Sequence, residues 1–248
     1  MNETEKDVLL RFTDSEGVVF HSSKKTTKGG PGSGNFGHEG RPGEVGGSGG
    51  GGGSEHETAT REEAPKEEAY HTFAAAADAF EKYYKTLPDG TQEYLVDYCD
   101  GEYATINTYM RTGGLGVYEG RTDPEYIKDA ASSMTQVLDE SPKYEGTVYR
   151  GTAPSAERYE QIKGLEPGDK MSMAGFTSTS VEREIAREFA DTGGRSIIYT
   201  IDNAKGSAIG ELSGVPGEKE IVLPHGASYE VKGVQEGDMQ LSVHLKMV

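Results

Sequence analysis

Tryptophan is missing from this 248-residue chain, and cysteine occurs once, at Cys99. With a single thiol no internal disulfide can form, so a reducing compartment is permitted but not required. Basic residues are scarce: 25 Lys and Arg stand against 42 Asp and Glu, a formal net charge of −17. That balance lacks the basic stripe a nucleic-acid surface needs, so no such partner is expected. It fits solubility, or attraction to a basic protein target. No apolar run approaches membrane-spanning length. The six histidines are scattered and none pairs at a ligand spacing, so no metal is expected. No Gly-x-Gly-x-x-Gly fingerprint follows a strand pattern, which excludes dinucleotide binding in Rossmann fashion. The opening Met1-Asn2-Glu3-Thr4-Glu5-Lys6-Asp7 is too charged for a secretory signal peptide.

Glycine is abundant, but in one place. From Gly29 to Gly53 the chain is dominated by Gly, Ser and Pro, and Ser54 to Lys66 continues it with charge and no hydrophobic period. Such a stretch buries too little apolar surface to offset its chain entropy. Three parts follow: a short segment 1–28, a flexible linker 29–66 and a domain 67–248. Within the first part, Val8–Phe12 and Val18–Phe20 flank a Ser15-Glu16-Gly17 turn and predict a small hairpin, too little to be stable alone.

Beyond Glu67 helices come first. Phe73, Ala77, Phe80 and Tyr84 give an amphipathic helix ending at Pro88-Asp89-Gly90. Thr91 is the expected cap of a second, through Tyr94, Leu95 and Tyr98. A third covers Tyr103–Arg111, and a fourth begins at Asp123-Pro124 and runs to Leu138. After Pro142 strands take over, at Gly146–Gly151, Gly175–Ser180, Arg195–Ile201, Glu220–Leu223, Ser228–Val234 and Met239–Met247. Short helices are expected at Ala156–Ile162 and Val181–Phe189. Helices followed by strands indicate an α+β domain.

Chemistry concentrates on three strand-borne features. Arg150 closes Val148-Tyr149-Arg150, Ser178-Thr179-Ser180 forms a hydroxyl cluster, and Glu218-Lys219-Glu220 opens an apolar strand. Alternation along a strand puts both carboxylates on one face and Lys219 on the other. Two like charges so close raise each other's pKa unless a cation or hydrogen bonds compensate. Each feature alone has an ordinary explanation: a surface ion-pair partner, a helix cap, a solvated strand.

In this order and with these flanks they resemble the Arg–Ser–Glu class of mono-ADP-ribosyltransferases, which includes the enzymatic components of actin-modifying binary toxins and phage-encoded relatives. The resemblance covers about Glu67 to Val248. Tyr98, Tyr103 and Asn107 stand where the toxin branch carries two tyrosines and an asparagine on the helix before the arginine. Phe189 stands where an aromatic stacks on nicotinamide, eleven residues after the serine. Two places depart: Gly151 replaces a second arginine, and Thr192 stands where some toxins have another.

The resemblance implies N-terminal helices packed on a mixed or antiparallel β-core of the ADP-ribosyltransferase type, with NAD as substrate and no metal. It implies that Glu220 stabilises the positive charge that develops on ribose as the nicotinamide bond breaks. Ser178 would hold Glu220, and Arg150 would meet the diphosphate or orient the site. Gly151 would let its backbone approach the nicotinamide amide. Tyr98, Tyr103, Asn107, Thr179 and Phe189 would complete the NAD site, and Glu218 would face an acceptor arginine. The stretch Gly34–Ser48 also looks like one common in tailed-phage head and portal-associated proteins. The expected setting is therefore a phage virion or host cytoplasm, with a bacterial host protein as acceptor. Two alternatives are a NAD glycohydrolase and an inactive virion structural or adaptor protein.

Overall fold

Most of the described elements lie beyond residue 67, where helices come mainly first and most strands of one mixed sheet follow. The computed structural model describes residues 18–21, by their backbone, and 69–114, 123–190, 194–212 and 216–248. The expected linker, Val8–Phe12 and Thr192 lie outside the described residues.

The helices are α1 (Phe73–Tyr84), α2 (Asp89–Asp97), α3 (Tyr103–Thr112) and α4 (Pro124–Glu140). Thr72 caps α1 through Ala75 N–H, and Asp123 caps α4 through Glu125 N–H with Pro124 in the first turn. The expected cap at Thr91 is corrected. Helix α2 begins at Asp89, and the N–H groups of Thr91 and Gln92 bond the Pro88 carbonyl at 2.9 and 3.0 Å. An acidic first residue suits the positive end of the helix, so the Pro88 break moves the start forward. A π-helical turn, Tyr98–Glu102, joins α2 to α3, with Gly101 at φ 137° taking the bend.

The strands are β1 (Val18–His21), β2 (Ala69–Tyr70), β3 (Lys143–Thr152), β4 (Lys170–Met173), β5 (Thr177–Ser180), β6 (Ser196–Gly206), β7 (Glu220–Leu223), β8 (Ser228–Glu236) and β9 (Gln240–Met247). Helices α5 (Ala156–Lys163) and α6 (Arg183–Ala190) lie between them. Among the described residues the sheet order is β1-β4-β8-β9-β6-β3-β5-β7, with β2 beside β3. The β6–β9 and β2–β3 pairs are parallel and the rest antiparallel. The α+β expectation is met by this mixed arrangement. The first strand of the expected hairpin, Val8–Phe12, lies outside the described residues; its second, Val18–His21, pairs antiparallel with Lys170–Met173, about 150 residues away in sequence. A strand too short to stand alone gains its hydrogen bonds from the edge of an existing sheet.

Two cores result. Val148, Ile197, Tyr199, Tyr229, Leu241 and Val243 belong to the sheet's core, while Phe80, Leu95, Tyr98, Ile106 and Met134 pack between helices. Strand β7 serves both, since Ile221 and Leu223 enter the first and Val222 the second. Glu220 shares the period-two face of Val222, towards the helices. Among the described residues no helix is long and apolar enough to cross a membrane.

Candidate active site

Strands β3 and β5 touch at a single register pair, Tyr149 with Ser180, and then part. The parting leaves a cavity of about 620 Å³ between the sheet, the π-turn, α3 and α6, a size typical of small-molecule sites. Every residue expected at the site lines it: Tyr98, Tyr103, Asn107, Arg150, Gly151, Ser178, Thr179, Phe189, Glu218 and Glu220. They differ in what they offer there.

Arg150 spans the split, its guanidinium donating to the Ser178 carbonyl at 2.9 Å. That bond fixes the cation between two strands otherwise unpaired at this level. Ser178 lies beside both the Glu220 carboxylate and the Tyr98 hydroxyl, close enough to lower the pKa of each. Burial holds the Glu220 carboxyl above its ordinary value; Ser178 opposes this, Glu218 adds to it, and Arg150 opposes it. Cys99, also on the cavity wall, has its thiol pushed up to about 12, mainly by burial and then by Glu220 and Asp100.

The two carboxylates do not reach the cavity by strand alternation, which corrects the sequence reading. Glu218 ends a 3₁₀ turn, Pro216–Glu218, and β7 begins only at Glu220. Between them Lys219 sits at φ 47°, a left-handed conformation that interrupts the extended chain. The turn is tied to the start of α6. Ser180 Oγ donates to the Glu218 carbonyl at 2.7 Å and accepts from Glu182 N–H at 3.0 Å. Val181 N–H bonds the Lys219 carbonyl at 3.4 Å, and Lys219 Nζ pairs with the Glu182 carboxylate. Helix α6 accordingly starts at Arg183, with Val181 and Glu182 spent on this tie.

Other expected contacts are taken within the fold. Tyr98 is only 2 % exposed, its ring edge-on to Phe176 at 5.9 Å, so its face is closed to a ligand. Asn107 Oδ1 accepts from Phe176 N–H at 2.7 Å, and its Nδ2 donates to Tyr98 at 3.4 Å. Thr179 gives its hydroxyl proton to the Ile221 carbonyl at 2.6 Å. The missing side chain of Gly151 makes room for α6, whose Ala186 carbonyl oxygen lies 1.6 Å from where a Cβ would stand. A second arginine has no place there. Tyr103 and Phe189 by contrast are 54 % and 57 % exposed and stand open at the cavity for stacking.

Sequence reading passed over Arg111, which lines the cavity from α3. The signal was available, since Tyr103, Asn107 and Arg111 recur every four residues along one helical face. Among the described residues no group of His, Cys, Asp and Glu is arranged to hold a metal ion.

Comparison with known proteins bears on the same region. The model of the family described as ADP-ribosyltransferase exoenzyme matches residues 76–247. Mav of Mycobacterium avium, named as an NAD(+)–arginine ADP-ribosyltransferase, is 32% identical over 138 residues, 55% of this chain and 15% of Mav. Vis of Vibrio splendidus, named in the same way, is 28% identical over 162 residues, 61% of this chain and 62% of Vis. The chain thus spans less than two thirds of either relative. Crystal structures of Vis with the inhibitor M6 and with agmatine superpose at TM-scores of 0.60 and 0.55. Their identities to this chain are 22% and 21%, over 71% and 72% of it and 80% and 87% of theirs, a likeness of fold.

Proposed function

Because the chain belongs to the ADP-ribosyltransferase exoenzyme family, we propose that its cavity cleaves the nicotinamide–ribose bond of NAD and transfers ADP-ribose to an arginine of a protein. The observation that carries this is a half-buried carboxylate, Glu220, next to Ser178 and beside a second, Glu218, in a cavity also lined by Arg150 and Arg111. An ionised Glu220, held ready, stabilises positive charge developing on the ribose without having to reorganise. Arg150 and Arg111 supply cations suited to a diphosphate. Exposed Phe189 or Tyr103 offers a face for the nicotinamide ring.

In the transfer, the bond between nicotinamide nitrogen and ribose C1′ breaks with its electron pair leaving on nicotinamide. A guanidinium nitrogen then bonds C1′ and gives up one proton. Glu218, with no strand neighbour to fix it rigidly, meets that guanidinium and takes or relays the proton. Mav and Vis are named for arginine as acceptor, and Vis has been solved with agmatine, a decarboxylated arginine. Both support a guanidinium partner.

The finer assignments belong to the same reading. Residues 29–66 serve as a tether to the domain at 67–248. The Gly34–Ser48 stretch supports a phage-encoded protein acting on a bacterial host protein, in the host cytoplasm or from the virion. The Arg–Ser–Glu arrangement supports kinship with the binary-toxin branch. Incubation with labelled NAD and a bacterial lysate tests the function: labelled protein bands are expected. Free ADP-ribose alone would make the protein a NAD glycohydrolase, and neither product would leave a catalytically silent adaptor.

A further inference from the structure

Ser180, Val181 and Glu182 hold the turn that carries Glu218, each through a different group. The Ser180 hydroxyl commits its proton to the Glu218 carbonyl at 2.7 Å and accepts from Glu182 N–H at 3.0 Å. Val181 N–H bonds the Lys219 carbonyl at 3.4 Å, and the Glu182 carboxylate pairs with Lys219 Nζ. The other side of the turn is open, since a Cβ at Gly217 would meet nothing within 4 Å. Lys219 itself sits at φ 47°, which a residue with a side chain keeps only where its surroundings impose it. Those surroundings are the residues that lead into α6.

Ser180 is also where three strands meet, its register partners being Tyr149 on β3 and Glu220 on β7. One residue thereby relates the strand of Arg150, the carboxylate Glu220 and the turn of Glu218. Helix α6 is a firm post for the turn, because its Ala186 carbonyl fills the space beside Gly151 on β3. Glu182 and Lys219 are not among the described residues lining the cavity, so their pair acts on the turn and not on a ligand. Their side chains are 43 % and 42 % exposed for Lys219 and Glu182, so the pair adds little to overall stability. Its effect falls instead on where a turn with one open side comes to rest.

We propose that Ser180, Glu182 and Lys219 are positioning residues that latch the Glu218 turn to the head of α6 and so set the preference for a guanidinium acceptor over water. The inference rests on the reading of Glu218 as the acceptor-side carboxylate. A guanidinium must meet that carboxylate in one geometry, whereas water reaches the ribose without it, so a displaced turn costs transfer more than hydrolysis.

The test uses the full chain with Ser180→Ala, Glu182→Lys and the exchanged pair Glu182→Lys with Lys219→Glu. Transfer to agmatine and hydrolysis of NAD are measured on one preparation of each. Ser180→Ala and Glu182→Lys are expected to lower the ratio of transfer to hydrolysis about tenfold. The exchanged pair is expected to bring the ratio back to within about threefold of wild type, as an attractive pair is restored. A loss of folded protein lowers both rates together and leaves the ratio where it was. An unmoved ratio in the single variants, or no rescue in the exchanged pair, would overturn the proposal. Hydrogen exchange at the Val181 amide reads the latch without turnover: it is expected to quicken in Glu182→Lys and to slow again in the exchanged pair. Unaltered exchange there would overturn the latch even if the wild type modifies agmatine. A wild type that leaves NAD and agmatine intact while the exchange behaves as expected would overturn the proposed function and the acceptor role, and leave the latch standing.

Discussion

Gly151 and Ala186 share one space: a Cβ on the glycine would fall 1.6 Å from the Ala186 carbonyl oxygen. This is backbone against side chain, so no rotamer change relieves it. Helix α6 crosses β3 at the very strand position that follows Arg150, and the same helix carries Phe189 into the cavity. The crossing thus sets the distance between the guanidinium and the exposed aromatic.

Gly151→Ala is therefore expected to push α6 off the sheet. Overpacking of this kind costs about 1–3 kcal/mol, read as a lowered Tm. NAD cleavage is expected to fall with it, as Phe189 leaves its place. A variant with wild-type Tm and activity would show that α6 is not seated on Gly151.

Glu220→Gln keeps the size of the side chain and removes its charge. Both transfer and NAD hydrolysis are expected to fall by about 10²–10³ or more, the usual scale for a preorganised electrostatic group. Stability is expected to go the other way. Burial raises the Glu220 pKa in the folded state, so the fold favours the protonated form. That contribution is fully present below the ordinary carboxylate range and is lost as pH rises through the folded pKa. At neutral pH the charge is therefore a cost, and the glutamine variant is expected to melt higher than wild type. The gap in Tm should close as pH is lowered. A variant that melts lower at pH 7 would show that Arg150 and Ser178 outweigh burial.

A chain starting at Glu67 loses β1 and leaves the Lys170–Met173 edge without its partner. Uncovered strand edges promote association. The truncated protein is expected to cleave NAD but to elute partly as oligomers on size exclusion, where the full chain does not. Loss of NAD cleavage in a folded, monomeric truncation would show that the front end belongs to the enzyme.

What the sequence could show depended on the range of the interaction. The helices and their stops follow local rules, such as Asp123-Pro124 at the start of α4 and Gly113 at φ 61° at the end of α3. The cavity residues were legible because their types and order form a pattern. Their contacts were not. Nothing local says that Tyr98 is enclosed by Phe176, or that Gly151 yields its space to α6, because each partner is tens of residues away. The pairing of β1 with β4 is hidden for the same reason. At Glu218-Lys219-Glu220 the rule of alternation failed because Lys219 takes a left-handed conformation that sequence seldom signals for lysine. Both carboxylates still face one cavity, but by a turn rather than a strand.

That turn gives Glu218 a different standing from Glu220, and this is the basis of the last prediction. Glu220 is the first residue of β7, paired in register with Ser180 and next to the Ser178 side chain. Glu218 is anchored through its main-chain carbonyl by Ser180 Oγ, with the neighbouring Lys219 paired to Glu182, which leaves its carboxylate to the cavity. If the ribose side depends on Glu220 and the incoming guanidinium on Glu218, one substitution should separate the two activities. Glu218→Gln keeps the shape of the side chain and the turn but loses the bidentate anion that a guanidinium needs. Transfer to arginine or to agmatine is expected to drop by about 10², while NAD hydrolysis stays within a few fold, since water needs less positioning. Both rates are measured on one preparation, with NAD affinity checked by calorimetry. An equal fall in the two would place Glu218 on the ribose side as well. Unchanged transfer would mean that the acceptor is not a guanidinium.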